Sequence, residues 1–204
     1  MGKHSRKKRA STQSIMAKNA LSFVVMLVVV ILACVGLRTF ILGVYMVPST
    51  SMEDTIEPSD RIFSEKVSLG LNDIGQGDVV TFVKPQCVRN EDGTYSAETY
   101  VKRVIAVGGQ VVDIRNGQVY VDGELIDEPY LKEGSTTVAL ETPSDWTNKN
   151  PIYPYAVPEG HVWVMGDNRT HTADSRTFGP ISIDSITGRA FFTYWPVSRI
   201  GVIE

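Results

Sequence analysis

The chain has 204 residues, 43% of them hydrophobic, with 20 Lys and Arg against 23 Asp and Glu. Six of those cations precede residue 20 and no acid does, so the remainder holds 14 against 23, a net of −9 that excludes a charge-built nucleic-acid surface. The 2 cysteines, Cys34 in an apolar run and Cys87 alone beyond it, exclude an internal disulfide after that run, and neither a CxxC nor a Cys/His zinc spacing occurs.

Residues 1–19 form a basic tail, carrying Lys3, Arg6, Lys7, Lys8, Arg9 and Lys18, that reads as an unstructured topology determinant. Ala20 to Leu37 then runs without a charge, and its 18 residues reach about 27 Å as a helix, close to a hydrocarbon core. The expected anchor is residues 20–38. Flanking cations stay on the cytoplasmic side, which predicts a single-pass protein of the cell membrane with its N-terminus inside and the rest extracytoplasmic. Two other readings stay open: an ordinary cleaved signal peptide, although no Ala-x-Ala follows, and a lipid on Cys34 after Ile31-Leu32-Ala33. All three put the remaining chain outside the cytoplasm. Cys87 there is expected to be buried, as a small hydrophobe.

Beyond the anchor, β-branched runs recur at 78–83, 100–107, 110–114, 118–121, 161–165 and 189–194. Asn116-Gly117 and Asp122-Gly123 supply hairpin turns between them, so an all-β, antiparallel domain is predicted. From Pro129 to Pro158 the chain is Pro-rich and lacks alternation, which suggests a loop or small subdomain. The organisation predicted is a β domain of 39–112 and 156–204 with an inserted β/irregular subdomain at 113–155.

Three stretches carry polar chemistry. Pro48-Ser49-Thr50-Ser51-Met52-Glu53-Asp54-Thr55-Ile56 offers Ser51 as a nucleophile, whose hydroxyl needs a base within hydrogen-bond reach. It reads equally as a loop or cap residue, with Glu53 and Asp54 in the first turn of a short helix. Tyr100-Val101-Lys102-Arg103 offers Lys102 as that base, provided burial leaves it uncharged while alternation turns Arg103 to the other face; an exposed Lys-Arg strand is the competing reading. Gly166-Asp167-Asn168-Arg169-Thr170-His171-Thr172-Ala173-Asp174-Ser175-Arg176 is too polar for an ordinary strand end. A solvated loop, or His171 as a base oriented by Asp174, would also fit it. No metal site is expected from His161 and His171 without further ligands.

Taken in order, these stretches, with Gly77-Asp78-Val79-Val80 between the first two and Gly108-Gly109 after the second, resemble bacterial type I signal peptidases. Those are membrane-bound Ser-Lys proteases of the S26 kind. The resemblance covers most of the chain after the anchor, and it implies a signal-peptidase/LexA-like β domain that removes signal peptides from exported preproteins. Ser51 would attack, with Lys102 first base and then acid toward the leaving amine. The Ser51 N–H and the Ser49 hydroxyl would bind the oxyanion. Thr172 falls where a family hydroxyl, more often serine, holds the lysine ammonium. Asp174 with Arg176, and Asp167 with Arg103, would be supporting ion pairs. Tyr45, Val47, Met52, Ile56 and Val101 would line two shallow pockets for an extended peptide ending Ala-x-Ala. Asp54 departs from the family, which usually has proline there. No cofactor is implied; the partners are signal peptides and membrane lipid. A membrane-tethered β binding module without catalysis is the alternative from another class.

Overall fold

The computed structural model describes residues 3–70, 74–83, 88–89, 95–96, 98–139 and 152–204. Cys87, and with it the expectation of its burial, lies outside the described residues. The chain divides into two compact units, residues 1–41 and 42–204.

The first unit is one helix, α1 (Lys3–Phe40). It holds the apolar window Asn19–Gly36, long enough to cross a membrane, whose side chains face outward all round instead of packing inside the protein. The helix also runs through the basic residues, correcting the expectation of an unstructured tail. The cause is compositional: no proline and a single glycine, Gly36, interrupt residues 3–40, and Lys, Arg, Ala and Met are good helix formers.

The second unit is mostly antiparallel β structure. In chain order its elements are β1 (Leu42–Met46), β2 (Arg61–Glu65), a single helical turn α2 (Val67–Gly70), β3 (Val79–Val83), β4 (Val88–Arg89), β5 (Tyr95–Ser96), β6 (Thr99–Val107), β7 (Val111–Arg115), β8 (Gln118–Val121), β9 (Glu124–Leu125), β10 (Tyr155–Ala156), β11 (His161–Met165), the short helix α3 (Ser175–Phe178), β12 (Ile181–Ser182), β13 (Ile186–Trp195) and β14 (Gly201–Val202). The main sheet has the order β1-β2-β13-β3-β6-β11-β12, with β14 paired to β13. A second sheet has the order β10-β7-β8-β9, and β4 pairs with β5 alone.

The turns follow the sequence. Asn116 and Gly117 take φ of 51° and 80°, and Asp122 and Gly123 take 53° and 85°, the left-handed values a two-residue hairpin requires and which Asn, Asp and Gly tolerate. Val112 then lies opposite Val121, and Ile114 opposite Val119. These valines pack with Ile105, Trp163 and Met165 of the main sheet, while Val80, Phe82, Val104 and Val164 form a separate cluster with Phe178 and Ile181. β6 contributes to both, so every residue from Val101 to Ala106 is buried. That strand carries Lys102 and Arg103 into the interior together, and the exposed Lys-Arg strand is ruled out.

Candidate active site

Ser51 follows β1 in a run of turns. Glu53 N–H donates to Thr50 O at 3.0 Å and Ile56 N–H to Met52 O at 2.7 Å, but no helix follows, which corrects the expected first helical turn. Asp54 accounts for the break, because its φ of 83° cannot continue a helix. Proline, fixed near −65°, could not adopt that angle. This turn therefore takes a backbone path closed to the residue the family usually has there. Lys132 Nζ stands 3.6 Å from the Asp54 carboxylate, an exposed pair of little energetic weight.

Lys102 comes from the middle of β6, opposite Val80 on β3. It is 2% exposed, and its Nζ lies 2.6 Å from Ser51 Oγ and donates to Val101 O at 2.9 Å. Burial pushes its pKa down from 10.5 to about 8, against an opposing pull from the carboxylates of Asp174 and Asp167. The amine is thus largely able to lose its proton at mildly alkaline pH while touching the hydroxyl of Ser51. Ser49 Oγ stands 3.1 Å from Ser51 Oγ.

The polar loop after β11 packs around these two residues. Asn168 N–H donates to Ser51 O at 3.2 Å, and its side-chain amide donates to Thr50 O and Glu53 Oε2, both at 3.1 Å. Gly166 passes so close to Ser51 O and to Thr172 Oγ1 that a Cβ would fall on both. Thr172 Oγ1 is buried without a hydrogen-bond partner among the described residues, so it stands beside the site but not in contact with the Lys102 amine.

Two buried ion pairs, Arg103 with Asp167 and Arg176 with Asp174, lie near Ser51 and Lys102. Arg103 grips Asp167 through Nε and Nη2, at 2.9 and 2.7 Å, and Thr55 Oγ1 donates to the same carboxylate at 2.6 Å. Arg176 grips Asp174 in the same two-pronged manner, at 2.9 and 2.8 Å. Asp174 also accepts from the backbone N–H of Gly166 and Arg176, both at 3.1 Å, capping α3. His171 is exposed and its Nδ1 meets Thr170 Oγ1 at 2.9 Å, away from Ser51, which removes the His-base reading.

A groove of about 380 Å³ opens beside Ser49 and Lys102. Of the five residues expected in the substrate pockets, Tyr45, Val47 and Val101 line it; Met52 and Ile56 do not, because both have zero exposure in the cluster beneath. Glu98 and Tyr100, missed in the sequence, also line it. Counting back by twos from Lys102, to Tyr100 in β6 and Glu98 just before it, would have found them. Also missed is a strap of residues after β9: Glu128 pairs with Arg169, Thr137 Oγ1 accepts from Arg169 Nη1 at 2.6 Å, and the Tyr130 ring lies 3.9 Å from the Arg103 guanidinium. Burial raises the phenol of Tyr130 out of any physiological range.

Residues 20–195 match the family described as signal peptidase, peptidase S26. A probable signal peptidase I-2 of Synechocystis is 33% identical over 87% of this chain and 74% of its own. Signal peptidase IB of Staphylococcus aureus is 35% identical over 90% of this chain and 94% of its own. The solved signal peptidase I of Enterococcus faecalis aligns with a TM-score of 0.43 at 28% identity, covering 57% of this chain and 95% of that one. With a family match across most of its length and relatives of this identity covered over 74% and 94% of theirs, the chain belongs to the signal peptidase, peptidase S26 family of proteases.

Proposed function

We propose that the chain is a membrane-tethered serine endopeptidase that removes signal peptides from exported preproteins, with Ser51 as nucleophile and Lys102 as general base. The observation that carries this reading is the 2.6 Å contact between a buried, pKa-lowered amine and the serine hydroxyl. The neutral amine takes the Ser51 proton as Oγ attacks the scissile carbonyl. The Ser51 N–H and the Ser49 hydroxyl hold the oxyanion, and the lysine ammonium then protonates the leaving amine as the tetrahedral intermediate collapses to an acyl-enzyme. A water activated by the same amine releases the signal peptide.

The substrate segment lies extended in the groove, pairing with the strands on either side, so that alternate side chains point into it. Tyr45, Val47 and Val101 leave room there for small residues, which favours an Ala-x-Ala end. The six cations before residue 20 favour a single-pass orientation with 1–19 in the cytoplasm, 20–38 crossing, and the catalytic residues of 39–112 and 156–204 outside with the 113–155 insert. The exposed Val44 and Met46 offer lipid a contact near the groove.

The test is cleavage of a preprotein ending its signal in Ala-x-Ala by the detergent-solubilised chain, compared with Ser51→Ala and Lys102→Ala. Both variants should fold and lose turnover by about 10³-fold or more. Cleavage that survives either substitution removes the dyad.

A further inference from the structure

From Tyr45, which lines the groove, a chain of hydroxyls runs into the interior, and the proposed chemistry uses none of them. The Tyr45 hydroxyl donates to Thr187 Oγ1 at 3.2 Å. Thr187 Oγ1 stands 2.9 Å from Thr81 Oγ1 and donates to Thr81 O at 3.1 Å, and Thr81 Oγ1 stands 3.2 Å from Ser64 Oγ. A break in the ladder puts Thr187 there. β13 pairs Ile186 with Phe82 and then Gly188 with Thr81, so Thr187 is the extra residue of a β-bulge. In a regular strand, Thr187 and Gly188 would point to opposite faces; here both lie on the side of Thr81 and Ser64. Glycine at 188 leaves the room for this, since a Cβ there would fall on Ser64 Oγ. Thr81 lies opposite Val101, so this is the face of the sheet from which Val101 lines the groove.

The Tyr45 ring is held at two points. Its hydroxyl is bound by Thr187, and its edge lies over Gly43, two residues back on the same face of β1, where a Cβ would come 2.6 Å from Tyr45 Cε2. Any side chain at 43 would push the ring from this seat. Tyr45 and Val47 are two residues apart, about 7 Å of extended chain, which is also the spacing between the side chains of the last signal-peptide residue (−1) and the residue two before it (−3). Val47 is the nearer of the two to Ser51 along the chain, so Tyr45 meets −3. We infer that Thr187, the bulge residue of β13, is a positioning residue for specificity: it holds the Tyr45 ring as a fixed wall of the −3 pocket, so that a large −3 side chain must break the bond between the two hydroxyls to displace the ring. The inference rests on the proposed protease reading and adds to it the group that sets the size limit at one substrate position.

The test measures kcat/KM of the full chain in detergent on peptides with Ala at −1 and either Ala or Phe at −3, and on a second pair with Ala at −3 and either Ala or Val at −1. Wild type should prefer Ala over Phe at −3. Thr187→Val keeps the branched shape and removes the acceptor, and Tyr45→Phe removes the donor; each should lower that preference about fivefold, the worth of one hydrogen bond, with the Ala-over-Val preference at −1 unmoved. The double variant should go no further than either single one, because both remove the same bond, and Thr187→Ser should keep the wild-type preference. Tyr45→Phe leaves β13 untouched, so it answers the question even if Thr187→Val does not fold. A −3 preference within about twofold of wild type in either folded variant, an equal fall at −1, losses that add in the double variant, or a Thr187→Ser that behaves like Thr187→Val overturns the positioning role while leaving the protease intact. If wild type does not cleave the peptide with Ala at both positions, the protease reading itself falls.

Discussion

Replacing Lys102 with methionine should abolish activity and yet stabilise the protein at neutral pH. An ammonium whose pKa falls from 10.5 to about 8 on folding is disfavoured inside the protein by about 3 kcal/mol wherever both states are protonated, that is, below pH 8. Between pH 8 and 10.5 the unfolded chain holds a proton that the folded chain has released, so this penalty shrinks as pH rises, and above 10.5 it is gone. Methionine, of similar length, has no such penalty. It forfeits the hydrogen bonds to Ser51 and Val101, about 1 kcal/mol each, but that loss does not depend on pH. The stability difference between Lys102→Met and wild type should therefore fall by about 3 kcal/mol from pH 7 to pH 10.5, equivalent to about 6 to 12 °C in relative Tm for a domain of this size. Thermal unfolding of the detergent-solubilised proteins, followed by tryptophan fluorescence, measures it. Titration of other groups is common to both proteins and cancels. The same midpoint, near pH 8, should appear as the alkaline rise of kcat/KM in wild type. Parallel Tm curves across this range would mean that the amine is as well solvated folded as unfolded, and the base assignment would fail with it.

On the proposed mechanism Ser49→Ala removes an oxyanion donor and should lower kcat by about 10²-fold with little change in KM; a rise in KM alone would make Ser49 a binding residue. Arg176→Gln strands the Asp174 carboxylate, costing roughly 3–5 kcal/mol in a denaturation curve. It should also move the kcat/KM midpoint above about 8, because the nearby negative charge is no longer balanced; an unmoved midpoint makes the pair purely structural. His171→Ala should leave the pH profile and the rate nearly as they are in a peptide assay, and a loss matching that of Lys102→Ala would transfer the base role to the imidazole.

Strands with clean alternation were legible in the sequence. β6 to β8 read directly, since Asn116-Gly117 fixes the hairpin and valines mark its buried face. β2 did not, because Arg61-Ile62-Phe63-Ser64-Glu65 turns Ile62 and Ser64 inward, and a serine in the core looks like a strand end until its bond to Thr81 is seen. At the site, Ser51 and Lys102 were singled out by their flanking motifs, and the two side chains meet at 2.6 Å, but the burial of Lys102 was not readable from residue types. A Lys-Arg pair reads as surface, and only a strand enclosed on both faces hides both, at 2% and 1% exposure. The strap of Glu128, Tyr130 and Thr137 was invisible for a different reason. Its contacts with Arg169 and Arg103 span tens of residues and follow no period, so no local pattern announces them.

The ion pairs around the dyad bear on the chemistry as well as the packing. Asp174 and Asp167 each favour the charged lysine, and if both stood alone beside Lys102 they would hold the amine protonated. Neither can simply be absent: Asp174 caps α3 and binds Gly166 N–H, and Asp167 binds Thr55 in the turn after Ser51, so the two carboxylates shape the loop and turn that pack on Ser51. Each is instead matched by a guanidinium in two-pronged contact. A matched pair presents Lys102 with a dipole in place of a net charge, and a dipole's field falls away faster with distance. Arginine suits this because it remains charged under burial and fills both carboxylate oxygens at once, whereas a buried lysine in its place would itself tend to neutralise. The site thus contains buried basic side chains of two kinds, and the difference in their chemistry separates them: the guanidiniums stay cationic and cancel the acids, which leaves burial as the dominant influence on the Lys102 amine.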